Sequence, residues 1–561
     1  MLFTQETLDE IAVAREKYEE ELRQIMEKIP GAEAQYVTFS GMPVKPIYTP
    51  SDIHDIDYSD DISFPGQHPY TRGTFPAGFL SRRPNIRQVT GFGTAEETNK
   101  RWKFLLSKGA TALSVVPDDG LGYRADSDDE RVRGLVGAGG VALDTLYDFE
   151  TLFEDIDMMK YPVHLITMSP YALACYISIA QSRGIDLERL RGSMSNGLRN
   201  DAECIDIIEF CTNNMPLFNS GYLDMRNTRE GGCTAAQEIA FGVATTMDTA
   251  DALIRRGLKI DDFLHRVAWF VNAGPEIFEE AAKFRALRKV WAKIFKEKYD
   301  ARNPKSLRCR MHCQIYAPTM TKQQPFNNLI RGTLYAMGAI LGGVQSMHVN
   351  SFDEALALPT EFSASLSVRT QQIIDHETGV TKVIDPLGGS YYVEWLTKAL
   401  EKQALALIDE VQKRGGATKA RSWMQNEIRR AAYQNQMEFD SGERKLVGVN
   451  IYVEEEDVQM QALRVLQKHA DFEVLTEYSA EAADKQIARL KKVRAERDAK
   501  KLDAARQRLF DAIQNGDNMI PSLIAAARSG LTRAEYASII SEIFSRPPEG
   551  PYVCSPPDIL S

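Results

Sequence analysis

The sequence predicts an α/β fold, a parallel (β/α)8 TIM barrel with an N-terminal arm and a C-terminal helical extension. The first observation is an alternation of eight short β-prone runs with amphipathic helical stretches, which is typical of this barrel. The second is a change to helical periodicity alone from residue 393 onward. The third is size, because 561 residues with 43% hydrophobic side chains exceed one average domain and can bury a large core.

The elements follow in order along the chain. Residues 5–29 have a helical periodicity that Pro30 and Gly31 end, so we expect a leading helix. Residues 44–74 are rich in proline, glycine, aspartate and tyrosine without periodicity, which indicates an extended arm. The β-prone runs are residues 87–92, 111–116, 162–168, 192–196, 222–227, 266–272, 306–315 and 344–350. Long charged helices are predicted at 394–413, 480–515 and 521–543.

These elements divide the chain into three parts. We assign residues 1–40 to the N-terminal helix and residues 41–392 to the barrel with its extended arm. Residues 393–561 form the helical extension, without a recognisable cofactor-binding domain of their own.

Composition excludes several classes of protein. The 78 acidic and 67 basic residues leave a net charge of −11, and no purely basic tract exists, so no nucleic-acid partner is expected. No apolar run reaches the length of a bilayer span, and residues 1–27 lack a signal-peptide core. Seven cysteines at irregular spacings indicate reduced thiols. We therefore expect a cytoplasmic protein that binds neither nucleic acid nor membrane.

Polar residues occupy every second position in three of the predicted strands. They are Arg308, Arg310, His312 and Gln314, then Ser346, His348 and Asn350, and finally Ser193 and Ser195. A barrel axis is normally filled by branched apolar side chains, and buried polar groups are costly without partners. A long polar ligand threaded along the axis would supply those partners. A wet barrel rim is the alternative interpretation, and the pattern alone leaves both open.

Other motifs carry no function. Cys309, His312 and Cys313 could be read as zinc ligands, but on a strand His312 points away from both cysteines, so no metal site is predicted. The chain has no dinucleotide fingerprint, phosphate loop or nucleophile elbow. His164 and the other scattered histidines are assigned no role.

Eight ordered segments carry a family resemblance. They are residues 43–49, 70–73, 86–88, 91–94, 278–288, 345–350, 353–360 and 384–393. Together they resemble the large subunit of the adenosylcobalamin-dependent acyl-CoA mutases, the methylmalonyl-CoA mutase family. In that family a (β/α)8 barrel takes the CoA chain along its axis, and a 5′-deoxyadenosyl radical from the cofactor takes a hydrogen atom from the substrate. The resemblance therefore implies a radical isomerase that uses adenosylcobalamin.

One part of the family pattern is absent. The Asp-x-His-x-x-Gly motif, whose histidine ligates cobalt in the family, occurs nowhere in the chain. The chain resembles isobutyryl-CoA and 2-hydroxyisobutyryl-CoA mutases, in which a separate small subunit carries the cobalamin domain. We therefore expect a cobalamin-binding small subunit as partner, in a heterotetramer of two large and two small subunits.

The resemblance also implies roles for individual residues. Those expected to be catalytic are Asn227, His312 and Gln314. Those expected to bind substrate are Phe75, Gly78, Arg82, Asn85, Arg87, Val89, Ser114, Val116, Ser193, Ser195, Asn219, Arg285 and Gln345. Those expected to face the cofactor are Pro117, Gly139, Glu230, Ala317, Asn350, Ser351, Glu354 and Pro359. Within this set, Arg82, Arg87 and Arg285 are expected to bind the CoA phosphates.

The reacting end departs from the family pattern. Asn227 stands where the family has a histidine that donates to the thioester carbonyl, and Arg226 stands where the family has a tyrosine. Val89 and Ala202 replace the two ligands of the methylmalonyl carboxylate, and Val116 replaces a hydroxyl-sensing aspartate. We therefore predict a preference for isobutyryl-CoA or a bulkier apolar acyl-CoA over methylmalonyl-CoA and 2-hydroxyisobutyryl-CoA.

Three alternatives stay open at this stage. If Arg226 or Arg229 turns inward, a carboxylated acyl chain becomes possible through a new arginine. The chain could also be a methylmalonyl-CoA or 2-hydroxyisobutyryl-CoA mutase with a remodelled pocket. Loss of the histidine at Asn227 would further fit a non-catalytic CoA-binding scaffold subunit.

Overall fold

Short parallel strands form the centre of the fold. The structure is a computed structural model that describes residues 3–28, 36–118, 124–166, 169–196, 198, 200–475 and 480–544. The strands in these residues are β1 (Tyr36–Val37), β2 (Pro43–Val44), β3 (Asn85–Ile86), β4 (Leu113–Val115), β5 (Val163–Leu165), β6 (Gly192–Met194), β7 (Phe218–Asn219), β8 (Gly221–Asp224), β9 (Val267–Ala273), β10 (Met311–Ile315) and β11 (Ser346–His348).

Helices separate the strands and continue after them. Those up to β11 are α1 (Gln5–Met26), α2 (Gly78–Ser81), α3 (Ala95–Ser107), α4 (Leu146–Leu152), α5 (Pro170–Ser182), α6 (Ala202–Asn214), α7 (Arg226–Glu230), α8 (Ala235–Arg255), α9 (Ile260–Phe263), α10 (Ile277–Tyr299) and α11 (Asn327–Leu341). Those after β11 are α12 (Glu361–Glu377), α13 (Tyr391–Lys413), α14 (Ala417–Asp440), α15 (Val458–His469), α16 (Ala480–Glu496), α17 (Ala499–Asn515), α18 (Met519–Arg528) and α19 (Arg533–Phe544). No helix of the described residues is both long enough and apolar enough to span a bilayer.

Two parallel sheets contain the strands of the predicted barrel. One has the order β3-β11-β10-β9-β8, the other the order β4-β5-β6-β7, and β1 with β2 forms a separate antiparallel pair. Only Ser220 lies between β7 and β8. On the other side, the backbone N–H of Thr111 donates to Ile86 O at 3.0 Å, and that of Val116 donates to Thr90 O at 2.8 Å. The prediction of an α/β fold with parallel strands is confirmed.

Strand ends differ from the predicted runs. The run predicted at 87–92 has its strand at Asn85–Ile86, and positions 167 and 168 of another run lie outside the described residues. The second half of the run at 222–227 is wrong as a strand, because the chain turns into α7 at Arg226. Asp224 causes this turn, since its Oδ1 accepts the backbone N–H of Arg226 at 3.1 Å and satisfies a free donor of the helix start.

Two large apolar clusters attach the helices to the sheets. Cys309, Met311 and Cys313 lie in the same buried cluster as residues of α8, α10 and α13. The apolar face of this segment, opposite its polar face, therefore packs against the helices. Helix α13 packs against α8 and α10, so it belongs to the helical layer around the strands although the sequence assigns it to the extension.

The C-terminal helices pack on α5 and α6, the helices that cover the second sheet. Residues of α17, α18 and α19 share a buried cluster with β4, β5 and β6. The single helix predicted over 480–515 is wrong, because it is divided into α16 and α17. Asp498 starts the second helix, since its side chain accepts the backbone N–H of Lys501 at 3.1 Å.

Candidate active site

The polar side chains of neighbouring strands lie in register within a sheet and form the predicted polar interior. His312 is paired with Phe270 and Ser346, and two residues later Gln314 is paired with Asn272 and His348. Side chains in register on adjacent strands share one face of a sheet, so each layer is a cross-strand group. Nδ1 of His312 lies 2.6 Å from Ser346 Oγ.

His164 is an interior residue that sequence reasoning missed. Its Nδ1 lies 2.7 Å from Ser193 Oγ, and its Nε2 lies 2.9 Å from Ser195 Oγ. Both predicted serines are therefore held by one imidazole. The signal was present, because His164 alternates with Val163 and Leu165 in the same way as the polar residues that were noticed.

Three interior histidines are held in their neutral form. Burial lowers the pKa of His164 and of His312 well below the usual range, with the charge of Arg87 as the second cause. Burial, followed by the charges of Arg226 and Arg87, lowers the pKa of His348 to about 3. At neutral pH these imidazoles therefore donate and accept hydrogen bonds without carrying charge.

A cavity of about 1190 Å³ opens at the amino ends of the parallel strands. It is lined by residues that start strands, among them Asn85, Gly192, Met311 and Ser346. The predicted site residues on its wall are Phe75, Gly78, Arg82, Asn85, Arg87, Ser193, Asn219, His312 and Gln345. Nine residues that the sequence predicts for the site therefore lie on the wall of one cavity.

Six cations on this wall form a group that we call the mouth cations: Arg82, Arg191, Arg266, Lys305, Arg308 and Arg310. Within the described residues no carboxylate lies close enough to form an ion pair with any of them. Burial, followed by the charge of Arg266, lowers the pKa of Arg310 to about 10. The Nε atoms of Arg266 and Arg308 are buried without a hydrogen-bond partner. Such a cavity is suited to an anion, and phosphate matches the fork of a guanidinium.

Arg285 does not lie on the cavity wall. It is fully buried in α10, where Nη1 lies 2.5 Å from Asp385 Oδ2 and Nη2 lies 2.6 Å from Glu394 Oε1. Two carboxylates of the chain itself are therefore the counter-ions of Arg285. Its role at the CoA phosphates stays a prediction, whereas Arg191, Arg266 and Lys305 line the cavity without having been singled out.

Apolar side chains close the inner end of the cavity. Val89 and Val116 pack against a buried group made of Ile166, Tyr222, Ala268 and Phe270. The hydroxyl of Tyr222, a member of this group, accepts a hydrogen bond from Arg87 Nη2 at 2.8 Å. Ser114 is buried with its Oγ unpartnered among the described residues. The two valines that replace polar residues of the family pattern thus belong to one apolar cluster at this end of the cavity, which we call the apolar chamber.

The predicted cofactor residues follow the carboxyl ends of β4, β8, β10 and β11. Glu230 Oε1 accepts from Asn272 Nδ2 at 3.2 Å and from the backbone N–H of Ala317 at 3.5 Å. The carboxyl ends of parallel strands lie at one edge, so these residues form a second face opposite the mouth. The other predicted residues on this side are Pro117, Gly139, Asn350, Ser351 and Pro359. Pro117 is bridged to Val141, Gly139 is exposed and Asn350 is buried. Ser351 Oγ lies 3.2 Å from Ser367 Oγ, and the carbonyl of Pro359 accepts a hydrogen bond from Arg101 at 2.5 Å.

Carboxylates dominate the electrostatics of this face. Desolvation, followed by the charges of Glu230 and Asp353, raises the pKa of Glu354 to about 7. Desolvation is also the largest cause that raises the pKa of Glu230. Such groups can accept hydrogen bonds from the hydroxyls of a sugar. The described residues hold no cluster of three or more His, Cys, Asp or Glu side chains placed to bind a metal ion.

Comparison with known proteins decides the family. The methylmalonyl-CoA mutase family model matches residues 37–546. The chain belongs to this family. The 2-hydroxyisobutanoyl-CoA mutase large subunit of Aquincola tertiaricarbonis is 38% identical over 95% of this chain and 96% of its own length. The methylmalonyl-CoA mutase of Escherichia coli K12 is 36% identical over 91% of this chain and 72% of its own length. That of Homo sapiens is 35% identical over 90% of this chain and 68% of its own length.

The family membership also gives the class of enzyme. Its members are acyl-CoA mutases, which are isomerases, and the family depends on cobalamin. The polar interior between the mouth and the carboxylate face therefore belongs to a mutase scaffold.

The sequence leaves open whether Arg226 and Arg229 turn inward, and the two side chains have opposite orientations in this mutase-family chain. Arg226 lies over the ring of Phe270, with 5.2 Å between the guanidinium carbon and the ring centroid, and its Nη1 lies 3.5 Å from Gln314 Oε1. Arg229 is fully buried in the helical layer, where its Nη2 lies 3.2 Å from Glu280 Oε1. Arg226 thus turns inward and Arg229 does not. Asn227 lies between them on α7 and is half-buried, and its catalytic role stays a prediction.

Proposed function

We propose that the chain is the large, substrate-binding subunit of an adenosylcobalamin-dependent acyl-CoA mutase that rearranges the carbon skeleton of a branched or bulky acyl-CoA. The observation that carries this proposal is the cavity with its unpaired mouth cations, which leads into a polar interior and an apolar inner end. Phosphates, a polar chain and an apolar acyl group follow each other in the same order along an acyl-CoA molecule.

The scaffold of this function is one closed (β/α)8 barrel. The break between the two sheets at β7 and β8 is the single residue Ser220. The backbone hydrogen bonds from Thr111 to Ile86 and from Val116 to Thr90 support closure on the other side. In such a barrel the polar layers around His312 and Gln314 surround the axis.

The chain's own residues bind, orient and shield the substrate. The mouth cations hold the phosphates, Ser193 and Asn219 line the path of the polar chain, and Val89 and Val116 shape the acyl chamber. When bound, adenosylcobalamin supplies a carbon radical that takes a hydrogen atom from the substrate and later returns it. Glu230 and Glu354 would accept hydrogen bonds from its ribose hydroxyls. The apolar chamber keeps water away from the reacting atoms.

The chamber also supports the substrate preference. Val89, Val116, Ile166 and Phe270 offer no hydrogen-bonding side chain to a polar acyl group. A missing polar partner disfavours the matching polar substrate by about 1–3 kcal/mol, whereas an apolar branch gains by burial. Isobutyryl-CoA or a bulkier apolar ester is therefore preferred over methylmalonyl-CoA and 2-hydroxyisobutyryl-CoA.

The partner is a small subunit that carries cobalamin, in an assembly of two large and two small subunits. The name of the Aquincola tertiaricarbonis relative, a large subunit, supports a small-subunit partner. A cytoplasmic location is part of the proposal, and it is supported by the free, buried thiols of the described cysteines.

Reconstitution tests the function. The isolated chain should bind adenosylcobalamin weakly and show no turnover, whereas addition of the co-purified small subunit should produce both tight binding and isomerisation of an acyl-CoA panel. Specificity constants for isobutyryl-CoA, 2-hydroxyisobutyryl-CoA and methylmalonyl-CoA then rank the substrates. Tight stoichiometric cobalamin binding by the chain alone would contradict the two-subunit proposal. Absence of turnover for every ester in the loaded complex would contradict the mutase function.

A further inference from the structure

Arg226 stands between the predicted substrate path and the predicted cofactor face. The cavity ends at Tyr222, Ala268 and His312, and Phe270 is the cross-strand partner of His312 and of Asp224. The ring of Phe270 lies 4.8 Å from that of His312, and the guanidinium of Arg226 lies over it. Arg226 therefore occupies the next layer beyond the inner end of the cavity.

The hydrogen-bonding capacity of this guanidinium is largely unused. Its Nη1 makes one long contact of 3.5 Å with Gln314 Oε1, and its Nε is buried without a hydrogen-bond partner among the described residues. The nearest carboxylate oxygens, on Asp224 and Glu230, lie 3.9 Å away, beyond hydrogen-bond distance. A guanidinium has five N–H donors, and donors left unpaired in a partly buried place lose free energy until an acceptor arrives.

The charge around Arg226 favours a neutral acceptor. Asp224 and Glu230 already lie beside this one cation, and its charge also acts on the carboxyl group of Glu354. A carboxylate on the acyl group would add a further negative charge to a region where carboxyl groups already outnumber the one cation. A carbonyl oxygen adds none, and it is the one acceptor that every acyl-CoA carries at its reacting end, whatever the acyl group.

We infer that Arg226 is a catalytic residue that donates a hydrogen bond to the thioester carbonyl oxygen of the substrate. This inference rests on the proposed function and changes its residue assignment, because the sequence places that donor at Asn227. A cationic donor stabilises negative charge that develops on the carbonyl oxygen during rearrangement more strongly than a neutral amide does. The inward arginine thereby serves an apolar substrate, and no carboxylated acyl chain is needed to explain it.

A pair of ligands isolates the carbonyl without any turnover. Isobutyryl-CoA carries the thioester oxygen, whereas S-isobutyl-CoA, its thioether analogue, lacks it. By calorimetry, the full chain should bind the thioester about 10- to 100-fold more tightly than the thioether, the range for a hydrogen bond to a charged group. In the infrared, the carbonyl stretch of the bound thioester should lie at lower wavenumber than that of the free ester.

Matched variants assign the effect to one residue. Arg226→Met and Arg226→Gln should remove most of the tenfold or larger preference and return the carbonyl stretch towards its value in the free ester. Arg226→Lys should keep part of both, because it retains a charged donor. Asn227→Ala, on the neighbouring position of the same helix, should change the preference less than threefold. In the reconstituted complex, Arg226→Met should lower turnover about 100- to 1000-fold for all esters alike.

Several outcomes would overturn the inference. An equal affinity of the wild-type chain for thioester and thioether would do so, and so would a preference that Asn227→Ala abolishes and Arg226→Met leaves intact. Loss of turnover for carboxylated esters alone would make Arg226 a carboxylate ligand instead. If the loaded wild-type complex turns over none of the esters while the Arg226-dependent preference persists, the proposed function fails and the assignment of the donor stands.

Discussion

Clusters of cations occur in two regions of the molecule, and they differ in whether carboxylates of the chain pair with them. In the helical layer Arg229, Lys283 and Arg285 each face carboxylates of the chain itself, with Lys283 Nζ 2.7 Å from Glu238 Oε2 and Arg285 Nη2 2.6 Å from Glu394 Oε1. At the amino ends of the strands several mouth cations lie near one another, and none of the six forms an ion pair with a carboxylate of the described residues. Both regions are rich in arginine, so composition does not distinguish them.

The difference separates structural charge from functional charge. A buried cation that has its own counter-ion stabilises the fold only as a pair, because either partner alone is a costly buried charge. A cation without a counter-ion costs free energy in the empty protein and gains it back when an anion binds. Position relative to the cavity therefore matters more than residue type.

Arg285→Met gives the largest expected effect. It leaves Glu394 without a cation and leaves Asp385 with Arg72 alone, whose Nε lies 3.0 Å from Asp385 Oδ2. The free energy of unfolding should therefore fall by about 3–5 kcal/mol, measured by urea denaturation. Arg285→Lys, which keeps the charge, should lose less. A variant of unchanged stability whose Michaelis constant for CoA esters rises selectively would instead make Arg285 the phosphate ligand that the sequence predicts.

Arg310→Met tests the opposite region. Removal of an unpaired cation should leave stability unchanged or raise it, because burial and Arg266 already disfavour its charge. The Michaelis constant for CoA esters should rise about 10- to 100-fold with little change in turnover, as expected for uniform phosphate binding. Arg83→Met is the matched control, since Arg83 lines the same cavity but is paired with Asp375 at 2.9 Å. Equal effects of the two variants would remove the distinction between paired and unpaired cations.

The carboxylate face extends the comparison to excess negative charge. Because the pKa of Glu354 is about 7, the group is mostly neutral at pH 6 and mostly anionic at pH 8. The anion is the better acceptor for a ribose hydroxyl, so adenosylcobalamin affinity of the reconstituted complex should increase about tenfold between these pH values. Glu354→Gln should bind with the same affinity at both. A pH response that persists in this variant would assign the titration to another group.

Arg82→Ala gives the smallest expected effect. Arg82 is exposed at the mouth, where its guanidinium lies over the ring of Phe75 at 4.7 Å, so water screens its charge. The Michaelis constant for CoA esters should rise only about two- to fivefold. A rise as large as that of Arg310→Met would show that exposure does not weaken a mouth cation, and an unchanged constant would remove Arg82 from the CoA site.

Local pattern was enough for much of this molecule. Alternation of apolar and polar residues predicts the two faces of the strand around His312, because successive side chains of a strand point to opposite faces. The predicted bounds of a helix and a strand were wrong where a single polar side chain starts a new helix. Asp224 starts α7 inside a predicted strand, and Asp498 divides a predicted helix, since each accepts a free backbone N–H. Such bonds depend on conformation more than on hydrophobic pattern.

By itself the sequence determined the α/β alternation, the polar interior, the mutase family and nine residues of the cavity wall. The first two depend on periodicity, whereas the family and the wall residues follow from the resemblance of short ordered segments to the family. Only the tertiary structure decided which arginines are paired. Arg285 meets Asp385 and Glu394 from about a hundred residues away, Arg226 turns to Gln314, and Arg229 turns to Glu280. A charge is structural or functional according to the partner that folding brings to it, and that partner is not encoded in the neighbouring sequence.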